Sequence, residues 1–175
     1  MKSFLTLTVT ALLMTFELIC GNMGLSLGLP VFGAFYFAVA FGKNYGLWAA
    51  GLSGLLLDAI YARSFMPTAI WMILIVLLAE QCALRLQRHL PVSAILGGAL
   101  CGFAVFLGNL LHSLICRTAF PGPDIWSMMI FQLIGGIFFM LLMTLLFDGI
   151  NFRCNLPRFK AVDKPRTFNG GGSRL

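Results

Sequence analysis

Glu17, Asp58 and Glu80 sit inside long apolar runs, and Asp148 closes another. Asn109, His112 and Gln132 add neutral polar groups within similar runs. Carboxylates beside a histidine and amides can shuttle protons, hold a ligand or latch helices together. An ionisable group at the centre of a bilayer costs roughly 2.5–3.5 kcal/mol on insertion scales, so each one inside an apolar run is informative. Other chemistries find no pattern. His89 and His112 fall at opposite ends of one apolar run and cannot share a metal. Cys20, Cys82, Cys101, Cys116 and Cys154 show no C-x-x-C spacing, and apolar-packed thiols suit them better than a Cys20–Cys116 pair. No serine neighbours a base in a known motif, and there is no phosphate-binding loop. The expectation is a protein with no catalytic residue, no metal and no cofactor.

The solvent for these residues follows from composition. Of 175 residues, 59% are hydrophobic and 10% charged, against about 25% charged in a soluble domain. Mean hydropathy is +0.93. Such a chain cannot cover a globule with polar groups, which excludes a soluble enzyme, a disulfide scaffold and a disordered protein. A bilayer core of about 30 Å takes about 20 apolar residues per helix. The apolar runs predict an all-α, polytopic integral membrane protein, a six-helix transmembrane bundle with spans at about 4–20, 25–41, 45–62, 66–84, 92–115 and 126–147. The second span contains Gly28, Pro30 and Gly33, and only Val31 to Phe41 reads as clean helix, so it is short or broken, or else re-entrant in a five-span chain that would strand Lys2 outside. The first run, after Lys2, reads as an uncleaved helix rather than a signal peptide: no small-x-small site follows and Glu17 would stand at the cleavage end.

Charge sorts the loops. With six spans, Lys2, Lys43, Arg85, Arg88, Arg153, Arg158, Lys160, Lys164, Arg166 and Arg174 fall on one side, and only Arg63 and Arg117 on the other. Basic residues favour the cytoplasmic side, so both termini are expected there. Tyr45, Trp48, Tyr61 and Trp126 fall at span ends, as interfacial aromatics do. Residues 151–175 read as a basic, disordered cytoplasmic tail resting on anionic lipid through Arg153, Arg158, Lys160, Lys164 and Arg166, not as a nucleic-acid arm. Asp148 is expected at the inner interface, and Glu80 is expected to snorkel or to pair with Arg85.

Helical spacing gathers the polar groups. Leu47, Gly51, Gly54, Asp58 and Ala62 share one face; Gly98, Gly102, Val105, Asn109 and His112 share another. Small residues permit close helix approach and polar ones seek partners there, so both stripes should face the bundle interior. Counted from span ends, Glu17, Asp58, His112 and Gln132 lie roughly 6–9 Å inside the outer boundary, with Asn109 one turn deeper. They form one expected polar layer. It is either a latch, in which Glu17 and Asp58 accept hydrogen bonds from His112, Asn109 and Gln132, or a ligand pocket or proton site.

Pro30, Tyr36, Gly46 and the run Gly51-Leu52-Ser53-Gly54-Leu55-Leu56-Leu57-Asp58, followed at once by an apolar span, resemble the bacterial rod-shape-determining protein family MreD. Pro30, Tyr36, Gly46, Gly54 and Asp58 carry the likeness, over about a third of the chain. Ala62-Arg63-Ser64-Phe65-Met66-Pro67 departs from the glycine-containing turn that relatives tend to place after the aspartate. The resemblance implies a non-enzymatic scaffold subunit of the cell-wall elongation machinery, in a bacterial inner membrane. It implies an MreC-like bitopic partner, with the MreB filament and wall synthases beyond it. The family is similar in layout to the substrate-binding subunit of energy-coupling-factor vitamin transporters, which sets the alternative: a small-molecule binder using the polar layer as its pocket.

Overall fold

The structure is a computed structural model describing residues 2–22, 27–60, 67–85, 90–115 and 125–159. Side-chain surroundings are not described at 67, 80, 82–85, 90–91, 112–113 and 115. Among the described residues it is all-helical, with α1 Lys2–Asn22, α2 Leu29–Ala40, α3 Lys43–Ile60, α4 Pro67–Arg85, α5 Leu90–Ile115 and α6 Ile125–Arg153. Every apolar run is a helix. Three of them, α1, the Val92–Leu111 stretch of α5, and α6, are long and apolar enough to cross a membrane. Leu29–Ala40 and Thr68–Ala79 are shorter apolar helices.

The second run is short and unbroken. Gly28 turns the chain in the left-handed region (φ 69°), where a side chain is strained, and a Cβ there would also collide with Val105. Pro30 then stands in the first turn, where its missing N–H costs no hydrogen bond. Twelve residues give about 18 Å of helix. α2 touches all five other helices, and only Val39 on it is not buried. It is the axial element, and Phe32, Tyr36 and Phe37 on it are among the most buried large side chains.

Glycines set the closest approaches. A Cβ on Gly98 would lie 2.7 Å from Gly136 O, and one on Gly136 2.6 Å from Gly98 O, so α5 and α6 meet backbone to backbone. Gly46 meets Ala38 of α2, and Gly54 meets Ala69 of α4. The glycine stripe of α5 therefore faces inward as its spacing predicts. The α3 stripe is rotated slightly: Gly46, Ala50, Ser53, Leu57 and Asp58 are buried, whereas a Cβ on Gly51 would have no neighbour within 4 Å.

The perimeter is apolar. Phe4, Leu7, Phe16, Trp48, Leu56, Trp126, Ile134, Phe138 and Leu145 are all more than half exposed, while Glu17, Ser53, Asp58, Asp148 and Asn151 are buried. A water-soluble fold places these classes the other way round. The pattern is that of a membrane protein.

The carboxyl-terminal segment corrects an expectation. A disordered tail starting at 151 does not hold for 151–159. α6 runs to Arg153, Asn155 turns the chain at φ 52°, and Leu156 N–H bonds Asn151 O at 2.8 Å. Phe159 is then buried and stacked on Tyr36 at 6.0 Å. An aromatic that finds an apolar berth outweighs the polar character of its neighbours. Lys160, Lys164 and Arg166 lie outside the described residues.

Candidate functional site

Each buried carboxylate described here holds backbone. Glu17, 4% exposed near the end of α1, accepts the Leu29 N–H at 3.0 Å. Leu29 is the first residue of α2, and its N–H has no intrahelical acceptor. Asp58, 2% exposed near the end of α3, accepts the N–H groups of Thr68 and Ala69 through Oδ2 at 3.1 and 3.2 Å. Those amides open α4. In both cases a carboxylate from one helix caps the start of the next, where the orphan donors and the positive end of the helix dipole both favour an anion. In a water-poor interior those donors would otherwise stay unpaired, at several kcal/mol each.

A third junction lies at the other end of the bundle. Asp148 Oδ1 accepts the Tyr36 hydroxyl at 2.7 Å and the Phe159 N–H at 2.8 Å. Asn151 Nδ2 donates to Tyr36 Oη at 3.0 Å and to Pro157 O at 3.1 Å. A continuous chain of bonds thus runs from Asn151 through the tyrosine hydroxyl to the aspartate. Phe147 tilts against the Tyr36 ring at 5.4 Å, and the Arg158 guanidinium lies 4.4 Å above Phe152. Asp148 was expected at an interface. It is buried, and the returning segment bonds it through the Phe159 N–H. Arg153 is exposed.

The residues of the expected outer layer divide. Glu17 and Asp58 point inward and bond the backbone. Gln132 is half-buried on α6, beside Gly102; its Oε1 is buried and accepts no hydrogen bond from a described residue. Asn109 is half-buried on α5. The side chain of His112 lies outside what is described, as does that of Glu80. The residues that carry the MreD resemblance all have structural work: Pro30 opens α2, Tyr36 centres the network with Asp148 and Asn151, Gly46 and Gly54 are contact points, and Asp58 caps α4. Among the described residues no group of three or more His, Cys, Asp and Glu could hold a metal ion.

Comparisons with protein-family models, with curated proteins and with solved structures find no match.

Sequence reasoning paired the acids with polar side chains and overlooked backbone amides. A signal was present. Asp58 precedes Pro67, and Glu17 precedes Pro30, with short intervals between. Proline at the start of a helix marks a set of orphan N–H groups nearby.

Proposed function

We propose that the chain is a non-enzymatic scaffold subunit of the bacterial cell-wall elongation machinery, of the MreD type. It crosses the inner membrane six times with both termini in the cytoplasm, and it binds an MreC-like bitopic protein by lateral helix packing. The observation that carries this reading is the use to which the buried acids are put. Glu17, Asp58 and Asp148 spend carboxylate oxygens on backbone amides at chain junctions, which rigidifies the bundle. The apolar perimeter is then the surface left for recognition. The resemblance at Pro30, Tyr36, Gly46, Gly54 and Asp58 supplies the choice of pathway. Depletion in a rod-shaped host is expected to round or widen the cells, and the tagged protein is expected to co-purify with a bitopic partner. Normal shape with no such partner would sink the proposal.

The alternative is the substrate-binding subunit of an energy-coupling-factor vitamin transporter. Gln132 Oε1, buried and accepting no hydrogen bond from a described residue, favours it, since a ligand donor would satisfy that atom. Lost vitamin uptake with normal shape would establish it.

A further inference from the structure

We infer that the groove between the first turns of α1 and α3 binds a single anionic phospholipid, an inference that needs membrane residence but not the scaffold reading. The groove is lined by Ser3, Thr6, Leu7 and Thr10 of α1 and by Asn44, Tyr45, Trp48, Ala49 and Leu52 of α3, and encloses about 450 Å³. Both helices begin here, so the positive dipole ends of two N-termini meet at one mouth, where the Tyr45 and Gly46 amides of α3 already bond Gly42 O. Lys2 adds a cation to the same turn of α1.

Thr10 points to a ligand independently of those N-termini. Its neighbours Thr6, Thr8 and Thr15 donate back to the carbonyls of Lys2, Phe4 and Ala11. Thr10 makes no hydrogen bond to a described residue, although it is only 8% exposed and lines the groove. A hydroxyl left so in an apolar setting wants an acceptor.

The dimensions select the occupant. From Ser3 to Thr10 is about 10 Å along α1, and from Asn44 to Leu52 about 12 Å along α3. A spanning partner helix needs a seam of about 30 Å. A lipid needs a polar mouth over an apolar throat, confined to one leaflet. The Ser3 hydroxyl and the Asn44 amide side chain meet the phosphate, between the two dipole ends. Thr10, about 10 Å deeper, donates to an ester carbonyl. Leu7, Trp48 and Leu52 contact the acyl chain, and Trp48 and Tyr45 have the amphipathic rings favoured at headgroup level. Charge complementarity completes the choice: Lys2 and both dipoles favour an anionic head, on a chain of formal net charge +6.

The test is native mass spectrometry of the full chain in detergent, titrated with phosphatidylglycerol and phosphatidylcholine of identical acyl chains. One phosphatidylglycerol adduct is expected at about fivefold lower concentration than the phosphatidylcholine adduct. Thr10→Val, which keeps the shape and loses the hydroxyl, is expected to weaken that adduct about fivefold, and Thr10→Ser to retain it. Unfolding temperature checks that both variants fold, and Asn44→Leu repeats the test at the mouth if Thr10→Val does not fold. Equal occupancy by the two lipids, or an adduct unchanged by a folded Thr10→Val (or by Asn44→Leu in its place), overturns the inference. So does displacement of the lipid by an equal concentration of inorganic phosphate, which would mark a site for a soluble anion. Loss of a co-purifying partner with unchanged lipid occupancy would make the groove a helix seat instead.

Discussion

The most consequential residues are acids that behave as caps. Asp58 offers its carboxylate to two amides at the start of α4. Asp58→Asn keeps an acceptor oxygen but loses the charge, and hydrogen bonds to charged groups are worth about 1.5–3 kcal/mol. Unfolding in detergent should therefore show a loss of about 2 kcal/mol, and Asp58→Leu a larger one because both amides lose their acceptor. Tyr36→Phe removes the hydroxyl that joins Asn151 to Asp148 and leaves both with one partner fewer. A loss of about 1–3 kcal/mol is expected in the same assay, and an unchanged midpoint would show that the Tyr36–Asp148–Asn151 network bears no load. That these acids matter was legible in the sequence, because a carboxylate inside an apolar run is costly wherever it points. Their partners were not. Side-chain spacing reports which residues share a face, but a backbone amide has no sequence signature beyond the proline or glycine that breaks the previous helix.

At the scale of elements, apolar runs of about 20 residues mapped onto helices because length and composition alone decide that outcome in a bilayer. The α5 stripe of Gly98, Gly102 and Val105 also mapped well, since glycines four apart leave a groove that only another backbone fills. The α3 face was read about one position off. Gly51 stands at its margin, whereas Gly54 touches Ala69. The two glycines make an internal control. Gly54→Ala must push α4 away and should cost about 1–3 kcal/mol, while Gly51→Ala enters open space and should stay within about 0.5 kcal/mol of the parent. Equal effects, read by thermal unfolding, would contradict the α3–α4 packing. The segment after α6 was unreadable for another reason. Phe159 sits among basic and polar residues, and its docking on Tyr36 depends on a cleft that exists only once α2 and α6 have met.

For the whole molecule, apolar residues form the perimeter and polar ones the joints. A protein arranged so should remain in the membrane fraction after alkaline carbonate and leave it only with detergent; release by carbonate would contradict the membrane assignment. The same arrangement makes the bundle rigid, with short axial α2 pinned at its start by Glu17 and, through Tyr36, by Asp148. If rigidity is the purpose of these acids, function should follow the amount of folded protein and nothing else. Asp58→Asn and Glu17→Gln test this most directly, with folded protein and cell shape measured together in a depleted rod-shaped strain. Shape rescue in proportion to the folded amount is the predicted result. A variant that folds and accumulates like the parent yet leaves the cells round would contradict it, and would make the carboxylate part of a working site.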